Sequence, residues 1–296
     1  MERTKKLLKR MLHQFNLVVV LIAICGGHAL LFESPIIEHA VNAKSSPNVL
    51  CIAEHCGRQS AACVTDANCR HNMECITKCG LTNQKCMYEC MNTYEDAVFD
   101  AFMKCMVDDN HCLTLTPPDP TFRCSPPVST LSNFSLSELT GQWYIALGLN
   151  KDYDCFDCQI STYKPVPTSS NYTLTELYDV IMLNGSTRHE MTTQQVAQLD
   201  PLKPGVLDLT NHMMGITMYE KWQIVDFPWS GNYIIVYYCG HMSADWWYEG
   251  GLVYSRQPTI SPEDYSTISE AVRQKLGHDV NDYCRPRTTP CSNISM

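Results

Sequence analysis

The residues best suited to chemistry in this 296-residue chain are its 17 cysteines and a few carboxyls and aromatics set in strand-like runs. Thiols at this density either oxidise outside a reducing cytosol or bind several metals. A zinc site calls for C-x2-C pairs or Cys/His clusters with tetrahedral spacing. His55, His71 and His111 lie near the cysteines, but Cys51 to Cys112 holds ten cysteines and no C-x2-C. Disulfides, and no metal, are therefore expected. Cys75-x3-Cys79 and Cys86-x3-Cys90 put each pair on one face of a helix, with six residues between them. Folding the two helices antiparallel predicts the nest Cys75–Cys90 and Cys79–Cys86. Cys51–Cys69 around Cys56–Cys63 is expected as a second nest, and Cys105–Cys112 as a local closure. Cys155-x2-Cys158 falls at a loop-to-strand transition and not at a helix N-terminus, which weighs against a thioredoxin-like role. His241 reads as a solvent-facing turn residue.

Among the acids, Glu220 draws attention through Trp222. Side chains alternate along a strand, so these two share a face while Lys221 points away. If Trp222 lines a cavity, Glu220 does too, and a carboxyl held against an indole has the raised proton affinity that an acid catalyst needs. The competing reading is a solvated rim Glu paired with Lys221 or another cation. Tyr237 and Tyr238 face opposite sides, so at most one lines the same cavity.

The elements that must position these groups are readable from Phe134 onward. Short runs rich in Tyr, Val, Ile, Thr and Trp, broken by Gly, Asn, Asp and Pro, predict strands at 142–149, 158–164, 172–182, 187–195, 205–210, 216–226, 232–239 and 251–256. Ser261, Pro262, Glu263 and Asp264 start a helix that runs to about Lys275 and stops at Gly277. The expected fold is mainly β: an eight-stranded antiparallel closed barrel with a C-terminal helix, preceded by a small disulfide-rich helical domain. The domain reading is a leader over 1–43, a Cys-rich helical domain over 44–114, a Pro-rich linker over 115–133, barrel and helix over 134–277, and a tail over 278–296.

A basic start (Lys5, Lys6, Lys9, Arg10), the apolar run Leu17–Cys25 and small residues at Val41 and Ala43 have the layout of an export signal. Cleavage after Ala43 leaves 16 cysteines, an even number. The apolar run is short for a membrane span of about 20 residues. Sequons stand at Asn133, Asn171, Asn184 and Asn293. A formal net charge of −9 and a pI near 5.5 argue against a nucleic-acid partner. A hydrophobic content of 45% permits a real core, and charged residues at 18%, below the globular average, argue against wholesale disorder.

Gly141-Gln142-Trp143-Tyr144 at the head of the first strand is the lipocalin entry pattern. Together with the Cys-rich block, and with Gly141–Asn150, Phe156–Gln159, Pro204–Leu207, Tyr233–Gly240 and Gly250–Arg256, the chain resembles violaxanthin de-epoxidase and its de-epoxidase-like relatives. The resemblance runs from about Cys51 to Cys291. It implies a lumenal plastid enzyme, in the chloroplast thylakoid lumen, that reduces carotenoid epoxides. Ascorbate is the implied co-substrate, with no bound cofactor. An acid opens the epoxide and water leaves. The leader alone reads equally well as secretory.

By the same resemblance Glu220 and Tyr238 are the catalytic pair, and Asp154, Asp157, Gln159, Gln195, Trp222 and Tyr254 contact substrate. Asp157 and Gln159 are expected on one strand face. The implied partners are an epoxy-xanthophyll, ascorbate, a thylakoid-type lipid surface engaged peripherally and pH-dependently, and a second copy of the chain. Three departures stand out. Glu220 replaces the family's Asp. No Glu-rich region follows Cys291, so acid-driven pairing and membrane recruitment are expected to differ. Cys155 and Cys239 are additional cysteines, for which a Cys155–Cys239 bridge across the barrel mouth is expected, with Cys158 bridged to Cys284 or Cys291 and the remaining one to Cys124. An epoxide isomerase and a non-catalytic carotenoid- or lipid-binding lipocalin remain as alternatives.

Overall fold

The computed structural model describes residues 47–291 apart from 80–82, 116–118, 120, 128, 243–245 and 290. The expected leader, with Cys25, and the sequon at Asn293 lie outside the described residues. The chain forms two compact units, one reaching Pro118 and including Met214–Ile216, the other comprising Asp119–Met213 and Thr217 onward.

The first unit is helical: α1 (Val49–His55), α2 (Gly57–Thr65), α3 (Ala67–Cys79), α4 (Gln84–Tyr94) and α5 (Ala97–Met103), continued by a π-helical turn over Lys104–Asp109. Asn48, Asn83 and Asp96 start α1, α4 and α5 by accepting backbone N–H bonds in the first turn, the groups a helix leaves unpaired there. Such short helices have little intrinsic stability, so cross-links must hold them. α3 and α4 pack antiparallel with bridges Cys75–Cys90 and Cys79–Cys86. Their adjacency brings the sulfurs of Cys75, Cys79 and Cys90 together, and all three are spent in disulfides.

Three expected pairings in this unit are corrected. Cys51 pairs with Cys112 in place of Cys69, Cys56 pairs with Cys105 in place of Cys63, and Cys63 pairs with Cys69. Cys105–Cys112 does not form. The reason is packing order. α5 lies against α2; its π-helical extension carries Cys105, and the segment after it carries Cys112, back to α1, where Asn48 N donates to the Cys112 carbonyl at 2.8 Å. Spacing revealed the local nest on two adjacent helices but not a closure over 49 or 61 residues.

The second unit is a closed antiparallel barrel in which each strand pairs with the next and β8 returns to β1. The strands are β1 (Gly141–Gly148), β2 (Asp157–Pro165), β3 (Tyr172–Ile181), β4 (Thr187–Ala197), β5 (Val206–Met213), β6 (Ile216–Asp226), β7 (Tyr233–His241) and β8 (Trp247–Ser255). α6 (Pro262–Leu276) is capped by the Ser261 side chain and ends at Gly277, whose φ of 72° suits a residue without Cβ. β7 and β8 are apolar on both faces because both are covered. Ile234, Val236 and Tyr238 face the barrel core, whereas Tyr233 and Ile235 pack with Ile268 and Val272 of α6.

One end of the barrel is sealed. Trp143 is fully buried, its indole N–H donates to the Leu139 carbonyl at 2.7 Å, and the Arg256 guanidinium lies 3.6 Å from the ring centroid. Arg256 also donates to the carbonyls of Gln142 and Glu138, at 3.0 Å each. Phe134, Leu136 and Leu139 complete the seal.

The segments flanking the strands are tied to this unit. Within the expected linker, Leu131 N donates to the Ile224 carbonyl and Cys124 is bridged to Cys239. Within the expected tail, Cys284 pairs with Gly148 as a β-bridge. The expected Cys155–Cys239 bridge is corrected to Cys124–Cys239 and Cys155–Cys284, and Cys158 takes Cys291. Cys239 alternates with Tyr238 and so points outward, where the Cys124 segment crosses β7. Peptide mapping without reductant is expected to recover Cys124 linked to Cys239. Recovery of Cys239 linked to Cys155, or free, would refute this connectivity.

Candidate active site

The inward faces of β2, β3, β6, β7 and β8 place acids and phenols together in the apolar core. Glu220 and Trp222 share the inward face of β6, and the Trp222 Nε1–H donates to Glu220 Oε2 at 2.7 Å. Tyr248 of β8 donates to Glu220 Oε1 at 2.8 Å. Lys221 points away and bonds Asp208 on the neighbouring strand, so it is not the partner of Glu220, whose donors are the neutral Trp222 and Tyr248. Tyr238, not Tyr237, faces inward, and its hydroxyl donates to Asp154 Oδ1 at 2.7 Å. Tyr237 points outward and donates to Glu249 at 2.6 Å.

Two glycines make room for these rings. Gly250 stands opposite Tyr238 and Gly240 opposite Tyr248. A Cβ at Gly250 would lie 2.3 Å from the Tyr238 hydroxyl, and one at Gly240 would lie 2.5 Å from the Tyr248 ring. Each ring therefore lies across the bare backbone of its neighbour, with the two centroids 6.1 Å apart, edge to face.

Asp154 reaches this group from the β1–β2 loop. Its Oδ2 accepts from Asn150 N at 2.8 Å, and Gly148 leaves the space for its Cβ. With its amide nitrogen turned to the loop, Gln159 donates to the carbonyls of Asp154 (2.7 Å) and Phe156 (3.2 Å). Gln159 thus holds the loop that carries Asp154. Tyr254 lies inward on β8, its ring 5.9 Å from Trp222 and 6.5 Å from Tyr163.

Two expected contact residues are corrected. Asp157 is separated from Gln159 by a bulge in β2 at which Cys158 takes φ +59°, so the two do not share a face. Asp157 instead accepts from the Arg287 backbone N–H at 2.8 Å and from its guanidinium at 3.2 Å. Gln195 is on the exposed outer face of β4. Its neighbour Gln194 is buried and points inward, on the same face as Val196.

Gln194 serves an acid that the sequence reading did not single out. Glu176 Oε2 accepts from Gln194 Nε2 at 2.7 Å, and Oε1 accepts from Ser161 at 3.1 Å and from Tyr254 at 3.5 Å. Alternation would have found it, because Leu174, two residues before, is a core residue. Among the described residues, Asp154, Glu176 and Glu220 form no salt bridge, and their hydrogen-bond donors are neutral. Asp154 is 4% exposed. Glu176 and Glu220 are half-buried by area, with carboxyls enclosed by the barrel wall.

Burial without a countercharge holds protons on these groups. It pushes Asp154 up to about 8, and the charges of Glu220 and Glu176 add to the effect, outweighing the bonds from Tyr238 and Asn150. Burial and then the Glu220 charge push Glu176 up to about 7. Burial raises Glu220, opposed by the Trp222 and Tyr248 bonds. The folded state therefore binds protons more tightly than the unfolded chain. The stability that protonation contributes is complete below about pH 4 and is lost as pH rises through 7 to 8, at up to about 1.4 kcal/mol per pH unit per group. The urea midpoint is expected to be lower at about pH 8 than at about pH 5, and Asp154→Asn is expected to flatten that slope. A midpoint that climbs across this window would contradict the assignment.

Comparison with known proteins extends the picture. Among solved structures, lobster apocrustacyanin A1 is 13% identical with a TM-score of 0.41, covering 52% of this chain and 80% of that one. Insecticyanin from the tobacco hornworm Manduca sexta is also 13% identical, with a TM-score of 0.42, covering 59% and 89%. The chloroplastic violaxanthin de-epoxidases of Nicotiana tabacum and Arabidopsis thaliana are each 27% identical over 246 residues, 81% of this chain. The chain spans about half the length of these curated relatives, 50% and 52% respectively. A family model described as the VDE lipocalin domain matches residues 48–288, barrel and helical unit alike, and the chain belongs to that family.

Proposed function

We propose that the barrel reduces epoxidised xanthophylls, with ascorbate as electron donor. One observation carries this reading. Carboxyls buried without a countercharge, so that their protonated form is favoured, stand beside tyrosines and Trp222 inside an apolar barrel, which is what opening an epoxide on a long apolar molecule requires. In the proposed reaction Glu220 gives a proton to the epoxide oxygen as one C–O bond breaks. Ascorbate supplies two electrons and becomes dehydroascorbate. A second proton leaves with the oxygen as water, the second C–O bond breaks, and a carbon–carbon double bond forms. Trp222 and Tyr248 orient Glu220, and Tyr238 orients Asp154.

We place the protein in an oxidising plastid compartment, the thylakoid lumen. Eight disulfides, which use all 16 cysteines from Cys51 to Cys291, support that reading, as do the chloroplastic relatives. No helix among the described residues is long and apolar enough to cross a membrane. The proposed access to substrate is peripheral contact with a lipid surface, and pairing of two copies belongs to the same reading.

The test is incubation of the oxidised protein with violaxanthin in thylakoid-type lipid at about pH 5, with and without ascorbate, followed by chromatography. Ascorbate-dependent antheraxanthin and zeaxanthin are expected. An ascorbate-independent isomer would replace the reading by epoxide isomerisation, and binding without conversion would replace it by a carrier.

A further inference from the structure

The reaction proposed above consumes two protons, yet Glu220 can deliver one before it must be refilled. Glu176 is an acid without an assigned role. It projects from β3, on a different part of the wall from Glu220 on β6, into the same core. Its surroundings fix the carboxyl without neutralising it. Ser161 of β2, Gln194 of β4 and Tyr254 of β8 each donate to it, and all three donors are uncharged. The titratable groups that face it are Glu220 of β6, Tyr163 of β2 and Tyr254 of β8, with Asp154 of the β1–β2 loop nearby. Tyr254 and Trp222 span the gap between the two glutamates. The tyrosine hydroxyl touches Glu176, its ring lies 5.9 Å from Trp222, and the Trp222 indole N–H bonds Glu220.

A substrate lying in this core meets an acid on two sides. We propose that Glu176 is a second catalytic acid, which protonates the oxygen after Glu220 has opened the epoxide, so that the oxygen departs as water. This inference rests on the de-epoxidase reading. In atoms, the first proton and the first C–O cleavage leave a hydroxyl on one carbon and an electron-poor centre on the other. The two electrons from ascorbate fill that centre. The proton from Glu176 goes to the hydroxyl, the second C–O bond breaks, and alkene and water separate. The burial that pushes Glu176 up to about 7 keeps that proton in place below neutrality.

The test compares wild type, Glu176→Gln and Glu176→Asp with violaxanthin and ascorbate from about pH 4.5 to 8. Glu176→Gln is expected to lower kcat at least about 100-fold with KM little changed. Product analysis is expected to find a carotenoid alcohol that has kept its oxygen, the reduced carbon having taken its proton from water instead. Glu176→Asp is expected to recover part of the rate with the loss of activity at high pH displaced. Infrared difference spectra between about pH 5 and pH 8 give a substrate-free readout, in which a carboxylic-acid band is expected in wild type and missing from Glu176→Gln.

Unchanged products and an unchanged pH profile in Glu176→Gln overturn the proposal. So does a wild-type infrared difference without a Glu176 band. A wild type inert toward violaxanthin, with the band present, overturns the de-epoxidase reading and this step with it, and that result is distinct from failure of Glu176 alone.

Discussion

Glu220→Gln is expected to lower ascorbate-dependent turnover of violaxanthin by about 10²–10⁴-fold while the barrel still folds. Glutamine keeps the length and shape of the side chain but has no proton to give. Trp222 Nε1 and the Tyr248 hydroxyl both donate to the glutamate. In the variant the amide oxygen takes the Trp222 bond, and the amide nitrogen faces a hydroxyl that can reverse its role from donor to acceptor. Local hydrogen bonding thus survives, so the thermal unfolding curve is expected to stay close to that of wild type. Burial raises the proton affinity of the native Glu220, so the variant is also expected to lose part of the stability difference between about pH 5 and pH 8. Full activity in Glu220→Gln would remove this residue from the mechanism, whatever its proximity to Trp222.

The second large effect is expected from a single methyl group at Gly250. A Cβ there would stand 2.3 Å from the Tyr238 hydroxyl and 2.4 Å from its Cζ, far inside contact distance. The ring cannot yield by a small rotation, because Tyr248 packs edge-on against it at 6.1 Å. Gly250→Ala must therefore turn Tyr238 out of place or part β7 from β8. Either way Asp154 loses the phenolic donor at 2.7 Å and remains buried with only the Asn150 backbone N–H of that pair. Overpacking of this kind costs about 1–3 kcal/mol, and an unsatisfied buried group adds a similar amount. Turnover is expected to fall with it. Urea denaturation of Gly250→Ala, Tyr238→Ala and the double variant checks the cause. The alanine at 250 is expected to cost little once the ring has gone, giving a coupling energy of about 1 kcal/mol or more. Additive losses would show that the strain lies elsewhere.

The fold was legible because its signals are local. The eight strands and α6 fall within a few residues of where alternation, turn residues and the Ser261-Pro262 start place them. The nest on α3 and α4 was legible for the same reason, since two i, i+4 pairs joined by a short loop leave one antiparallel solution. Cys56–Cys105 and Cys124–Cys239 were not, because they depend on which segment packs against which helix or strand face after the chain has closed. The site divides along the same line. The period of two puts Glu220 and Trp222 on one strand face, and the family resemblance says that this face is the inward one. The resemblance points to Gln195, whereas Val196 as an inward residue identifies Gln194, one position earlier. The resemblance points to Asp157, and placing it on one face with Gln159 assumes an unbroken β2, whose period the bulge at Cys158 breaks. Glu176 was overlooked because a lone Glu on a strand reads as solvated until the barrel has closed around it.

The seal of Trp143 and Arg256 has a consequence for order of events. A barrel closed at one end by Trp143 and Arg256 offers no passage through that end. Any long molecule that occupies it enters and leaves by the same mouth, leading tip first in and last out. Its depth is fixed when that tip meets the floor formed by Trp143, Leu139 and Phe134. On the proposed reading the floor would act as a ruler, setting which atom along the molecule stops level with the carboxyls. On that reading a molecule with a reactive group at each end would present only one of them per visit, and would have to withdraw and turn round before the other could be reached.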